Sequence, residues 1–474
     1  MESGFHTLKY KKMIPFWNFD KEFKSLKKSL FKKIDNVLSK GDIFFGEELK
    51  KFEKNFSKMY NFKNASAVGS GTDALIIALK SLGIKNGDEV ITVANTCVPT
   101  ASAIRSVGAK IKFVDIGSDY LINPNLIEKN INKKTKAIIP VHLYGQSCQM
   151  DKICRIAKKY KINVIEDCAQ AQGAKFKGKY VGSFGDIGCF SFYPTKILGA
   201  YGDGGLVVSK SKKIDEKVKR IRFYGFEKTK KNKFFDKYYS VEDGINSRLD
   251  EIQSSILNLK LPMTKQFIKK RNDIAKIYFK ELKNTGLILP IVNKSCIHVF
   301  HLFVVYHPSR NTIIKHLKKK NVNIVIHYPL PLHKMKPYKK FVGPYCESLP
   351  LSEKMSKGIF SLPIYPEMNI DNFNIHPKNI QEYKNLLSDL KNIDFSFNRN
   401  EVYEFYFMKY INEKANWLFK NHNELIKNIG YYAQFNPVIY KIFLDQFSEE
   451  RHYEVLKSLK NFINGNDYLF IPPN

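Results

Sequence analysis

Val164-Ile165-Glu166-Asp167-Cys168-Ala169-Gln170-Ala171-Gln172-Gly173-Ala174 is the stretch that decides the fold. The apolar run over 162–165 has strand length and ends on two acids followed by small residues. Similar runs recur on both sides. Upstream, strands are predicted over 66–68, 89–93, 110–114 and 137–141, with helical patterns over 74–81 and 150–160. Downstream, 188–192 and 206–209 are further strands. Strands alternating with helices imply an α/β protein with a mostly parallel sheet covered on both faces. In such sheets ligands bind at the carboxyl ends of the strands. Gly71-Thr72, Asp167 and Lys196 each lie just after a predicted strand, so one pocket can hold all three.

Each of these elements has a functional and a bland reading. Gly69-Ser70-Gly71-Thr72-Asp73 opens a helix. Small residues there let backbone N–H groups approach an anion, and the helix terminus adds partial positive charge. The same residues also suit a plain N-cap. Glu166-Asp167 closes a strand, where a carboxylate can pair with a protonated ring nitrogen or can simply be a solvated acid. Ser191-Phe192-Tyr193-Pro194-Thr195-Lys196 ends on a lysine. Its amine becomes a nucleophile if burial lowers its pKa, although in a lysine-rich chain residue type alone points to the surface. Gly202-Asp203-Gly204-Gly205 suits a tight turn and is given no catalytic role.

The spacing of these elements is more specific than any one of them. The 164–174 stretch, then Gly182-Ser183-Phe184-Gly185-Asp186, then Ser191 through Gly205, closely resembles the DegT/DnrJ/StrS family of sugar aminotransferases. The resemblance starts at Met13-Ile14-Pro15-Phe16 and runs to about Ser361-Leu362-Pro363-Ile364-Tyr365-Pro366. It includes Ser70-Gly71-Thr72-Asp73-Ala74-Leu75, Ile245-Asn246-Ser247-Arg248-Leu249-Asp250-Glu251 and His327-Tyr328-Pro329. It implies the fold-type-I, aspartate-aminotransferase-like architecture, with pyridoxal 5'-phosphate as cofactor. By resemblance, Lys196 is the Schiff-base lysine and Asp167 the acid that pairs with the pyridine nitrogen. Gln170 is the partner of the phenolic oxygen, and Gly71, Thr72 and Ser191 surround the phosphate. Asn246 reaches the phosphate from a second subunit, which implies a homodimer with shared active sites. Substrate contacts are implied for Gln172, His327 and Tyr328. The amino donor is expected to be glutamate and the acceptor a nucleotide-linked keto-sugar, aminated at C3 or C4. Residues 193–205 look closer to members acting at C3, and such amino-sugars usually enter surface polysaccharides such as lipopolysaccharide.

Two positions depart from the family pattern. Cys97 stands where members often stack an aromatic residue on the cofactor ring, and it offers less area. Gln172 stands where His is common, and an amide cannot titrate near neutral pH. Rival readings are a sugar dehydratase of the same family, which carries His in place of the cofactor lysine, and a non-catalytic regulator. Lys196 argues against the first, and the set Lys196, Asp167, Gln170 and Asn246 against the second.

The 474 residues suggest more than one domain: an N-terminal arm and large cofactor domain over 1–255, a small α/β domain over 256–395, and a helical tail over 396–474. Long helix is expected from about residue 250, with strands near 299–306 and 323–326. The net charge of +33 comes from lysine spread along the whole chain, and runs such as 228–233 and 318–320 read as solvated faces. This favours an anionic substrate rather than a nucleic-acid partner. Seven scattered cysteines, with no Cys-x-x-Cys pair, suggest reduced thiols and no metal site. No apolar run approaches the ~18 residues of a membrane span, and the polar, basic start lacks a secretory signal, so a cytoplasmic location is expected.

Overall fold

The structure, a computed structural model, describes residues 14–227, 239–283, 285–339 and 349–368. The chain divides into two units, 1–393 and 394–474, and every described residue belongs to the first. The predicted helical tail over 396–474 lies outside the described residues.

Two helices that the sequence reading did not place come first. In α1 (Phe19–Lys40) the Asn18 side chain accepts from Lys21 N–H and Gly41 closes the last turn at φ 74°. In α2 (Glu47–Tyr60), Leu49, Phe52, Phe56 and Tyr60 are buried at helical spacing. The alternating region then runs β1 (Asn64–Val68), α3 (Gly71–Ser81), β2 (Glu89–Val93), α4 (Val98–Ser106), β3 (Lys110–Val114), β4 (Thr135–Ile139), α5 (Met150–Tyr160) and β5 (Asn163–Asp167). It continues through short β6 (Lys175–Phe176) and β7 (Lys179–Tyr180), then β8 (Ile187–Ser191), β9 (Gly205–Ser209) and α6 (Lys212–Ile221). The later elements are α7 (Glu251–Lys260), α8 (Thr264–Glu281), β10 (Cys296–Ile297), β11 (Phe303–Tyr306), α9 (Arg310–Lys319), α10 (Pro350–Gly358) and β12 (Ile359–Leu362).

The seven-stranded sheet has the order β1-β9-β8-β5-β4-β2-β3. All neighbours pair in parallel except β9, which runs against both β1 and β8. Both faces are covered. Ile187, Cys189 and Val207 join a core with Leu75, Ile77 and Ile104, while Phe190, Leu206 and Val208 join one with Phe52, Phe56 and Leu257. This explains why the strands read as nearly continuous apolar runs rather than as alternation.

The later region departs from expectation in two places. The predicted strand near 299–306 starts at Phe303, because residues 299–302 dock onto another loop. The stretch 323–326 forms no strand; nearby, Val322 and Val325 make isolated bridges to Ile14 and Ser361. Its backbone is therefore shared between the N-terminal segment and β12, and no continuous ladder forms.

Candidate active site

β8 stops at Ser191, and the chain folds back at once. Phe192 N–H donates to Gly204 O, Lys196 N–H to Tyr193 O and Ala200 N–H to Phe192 O, each at 2.8 Å. Gln172 braces this turn from beneath: its Nε2 donates to Ser191 O and Leu198 O, and its Oε1 accepts from Leu198 N–H at 3.2 Å. Gln172 is 0% exposed. This corrects the expected substrate contact, because both ends of the amide are taken up by backbone and no surface remains to touch a ligand. Lys196 rides on the braced turn. Burial lowers its amine below the usual lysine value, opposed by Cys97 and Asp167. A lowered pKa leaves more of the amine neutral and nucleophilic.

Asp167 lies at the end of β5, one strand over. Its Oδ2 accepts from Thr100 Oγ1 at 2.9 Å and its Oδ1 from Ala169 N–H at 3.1 Å. Burial raises its pKa, against the pull of those donors, Lys196 and His142. A carboxylate has about four acceptor positions, so two protein donors leave capacity for a ligand.

Glu166, its neighbour, is saturated. It accepts from the N–H groups of Gly182 (2.8 Å), Phe184 (2.7 Å) and Gly185 (2.7 Å), and pairs with His142 Nε2 at 3.0 Å. His142 Nδ1 accepts from Cys148 N–H, so the proton is placed on Nε2. His142, Glu166 and Cys168 lie close enough to suggest metal ligation. Their hydrogen bonds instead make a strut that holds the 182–185 loop against β5.

Beside this pair, Gln170 Oε1 accepts from Tyr144 N–H at 2.8 Å and its Nε2 donates to Tyr328 Oη at 3.0 Å. Tyr144 Oη donates to His327 O, and His327 Nδ1 pairs with Ser361 Oγ at 2.8 Å. Burial lowers His327 to about 4, with a smaller contribution from Lys196. Burial raises Tyr328 well above its ordinary value, and Cys97 adds to the effect. The structure therefore gathers Lys196, Asp167, Gln170, Cys97, His327 and Tyr328 around one place.

The phosphate-type loop closes the other end. Ser70 Oγ accepts from Asp73 N–H, leaving the Gly71 and Thr72 amides at the start of α3 without intrahelical acceptors. A β-carbon on Gly71 would come within 2.6 Å of Ser191 Cβ, so only glycine lets α3 approach the end of β8 this closely. Ser247 Oγ donates to Asp73 Oδ2 and accepts from Gly69 N–H. The adjacent Asn246 is exposed, and its backbone bridges to Phe223. Thr100, Tyr144 and His301 were missed in the sequence. Thr100 had a legible signal, since it lies one helical turn after Cys97; the others depend on distant loops.

The match to known proteins covers this whole region. Residues 24–375 fit the model of the DegT/DnrJ/EryC1/StrS aminotransferase family. The chain belongs to this family. A relative from Aneurinibacillus thermoaerophilus, the dTDP-3-amino-3,6-dideoxy-alpha-D-galactopyranose transaminase, is 41% identical over 359 residues, covering 75% of this chain and 96% of its own. The dTDP-3-amino-3,4,6-trideoxy-alpha-D-glucose transaminase of Micromonospora megalomicea subsp. nigra is 37% identical over 361 residues, covering 75% and 94%. Among solved structures, NtdA from Bacillus subtilis with bound cofactor PMP superposes with TM-score 0.71 at 30% identity, covering 80% of this chain and 84% of its own. This DegT/DnrJ/EryC1/StrS member is a pyridoxal-phosphate-dependent aminotransferase of fold type I. The residues present fit the cofactor: an amine of lowered pKa, a buried carboxylate with spare acceptor capacity, and a helix start held open by glycine.

Proposed function

We propose that this aminotransferase moves an amino group from glutamate to C3 of a nucleotide-linked keto-sugar, for amino-sugar and surface-polysaccharide biosynthesis. The observation that carries the reading is the placement of Lys196, on the turn after β8, within the field of Asp167 at the end of the adjacent β5. Relatives named as 3-amino-sugar transaminases support C3. The cofactor supplies an electron sink when bound. Asp167, buried at the end of β5, would hold a proton on the ring nitrogen by charge pairing, which burial would strengthen. Lys196 Nζ would anchor the cofactor, and as a free amine it would take a proton from the substrate carbon as base and give one back as acid. Gln170, whose Nε2 donates to Tyr328 Oη, would hold the phenolic oxygen of the cofactor. Gly71, Thr72 and Ser191 would hold the phosphate, and Cys97 would lie against the ring. His327 and Tyr328 line the substrate side.

Asn246 is exposed on its own subunit, in keeping with reaching the phosphate of a partner in a homodimer. We read residues 1–255 as the arm and large domain and 256–395 as the small domain, of which the structure describes residues up to 368; the segment 396–474 lies outside the described residues. No described helix is long and apolar enough to cross a membrane; we assign the enzyme to the cytoplasm. The test is incubation with 15N-glutamate and matched 3-keto and 4-keto nucleotide-sugars, read by mass spectrometry. Label in the 3-amino product supports the reading. Label only in the 4-amino product moves the site, and no labelled sugar with any donor removes the proposal.

A further inference from the structure

Residues 299–302 belong to no helix or strand, yet they are clamped. Val299 N–H donates to Gly145 O at 3.0 Å and Leu302 N–H to Tyr144 O at 3.2 Å. Arg271 Nη1 donates to the carbonyls of Phe300 and His301, each at 3.2 Å. A β-carbon on Gly145 would meet His301 N at 2.9 Å, so the two loops are in close contact. These clamps fix His301 beside the loop whose Tyr144 bonds Gln170 and His327.

His301 is 6% exposed, and its Nδ1 is buried without a partner. An unmade hydrogen bond at a buried polar atom costs about 1–3 kcal/mol, so a partner is to be expected in some state of the enzyme. The charges of Lys196, Arg271 and His327 act on the ring, and together with burial, the largest cause, they hold it neutral. Arg271 lies 4.9 Å from the Trp17 ring and spends Nη1 on backbone carbonyls, while His327 Nδ1 is taken by Ser361. Lys196 itself feels Cys97 and Asp167, and its own charge reaches the His301 ring.

We propose that the His301 imidazole is the hydrogen-bond partner of the Lys196 amine when that amine is released from the cofactor, a role that rests on the transaminase reading above. A neutral imidazole offers one acceptor and one N–H. Its acceptor nitrogen receives an N–H of Lys196 and steadies the amine between its two proton transfers. His301 is thus a positioning residue that acts through Lys196.

The test reads Lys196 directly, in full-length protein stripped of cofactor. Trace acetylation across a pH series, with peptide mapping, yields the titration of Lys196 in wild type, His301→Gln and His301→Phe. An accepted hydrogen bond favours the ammonium form. His301→Phe should therefore lower the Lys196 pKa by about one unit, and His301→Gln, which keeps an acceptor, should restore most of it. Identical titrations in folded wild type and His301→Phe would overturn the proposal. Should His301→Phe not fold, wild-type protein with 15N-labelled histidine serves: the His301 ring resonances must shift on Lys196→Ala, and unmoved resonances would overturn the proposal equally. Neither readout needs turnover, so failure of the transaminase reading would appear separately, as unsubstituted enzyme that aminates no sugar.

Discussion

On one side of the β5 end, Glu166 receives three backbone N–H groups and the His142 ring. On the other, Asp167 receives one hydroxyl and one N–H. The two acids are adjacent in sequence and both are buried, and the pleat sends them to opposite faces. A carboxylate saturated by protein donors is a structural strut, whereas one left partly unsatisfied in the interior waits for a ligand. Acid type and burial do not separate these roles; the number of donors supplied by the fold does.

The largest test of this division is Lys196→Ala, which should remove turnover by at least the 10²–10⁴-fold typical of proton transfer while leaving the melting temperature nearly unchanged. A fully active alanine variant would remove the chemistry from the Asp167 side altogether. Asp167→Asn should come next, with kcat reduced roughly 10²–10³-fold. The same variant should gain stability at neutral pH. Burial raises the Asp167 pKa in the fold, so the folded state binds more protons than the unfolded chain just above the unfolded pKa of about 3.9. The contribution of Asp167 to stability is therefore greatest below that pH and declines as pH rises through the folded value. The melting difference between Asp167→Asn and wild type should accordingly widen from acid toward neutral pH in calorimetry. A constant difference would contradict the sign.

Glu166→Gln should behave in the reverse way. Its amide nitrogen must face backbone donors, at a cost of about 1–3 kcal/mol for each group left unsatisfied, while kcat of the folded fraction stays near wild type. If Glu166→Gln lost turnover as severely as Asp167→Asn without melting earlier, the division between the two sides would be wrong. The smallest effect is expected from Cys97→Phe, where a ring contact worth about 0.5–1.5 kcal/mol should tighten cofactor binding severalfold in equilibrium dialysis. Weaker binding would mean that Cys97 faces the ring in a place too narrow for an aromatic.

Much of this site was legible before any coordinates. The β5 and β8 strand ends, the Gly71-Thr72 helix start and Lys196 are local patterns, and fixed spacing along the chain places them at one edge of a parallel sheet. The β2 and β3 bounds match the apolar runs because strands buried on both faces leave a continuous trace. Helix α2 was as legible as these, from Leu49, Phe52, Phe56 and Tyr60, and was overlooked. The antiparallel direction of β9 was not legible, since a tight Gly turn feeds a strand of either sense equally well.

Residue type and spacing along the chain were enough to establish the α/β alternation and the family, and to single out Lys196 and Asp167, because each is written in short contiguous segments. Tertiary structure alone decided that Gln172 braces the Lys196 turn, that Glu166 is a strut while Asp167 is open, and that His301 is clamped beside the Tyr144 loop more than a hundred residues away in the chain. Those outcomes depend on which backbone groups arrive from distant loops, and a hydrogen bond between remote segments leaves no periodic mark on either of them.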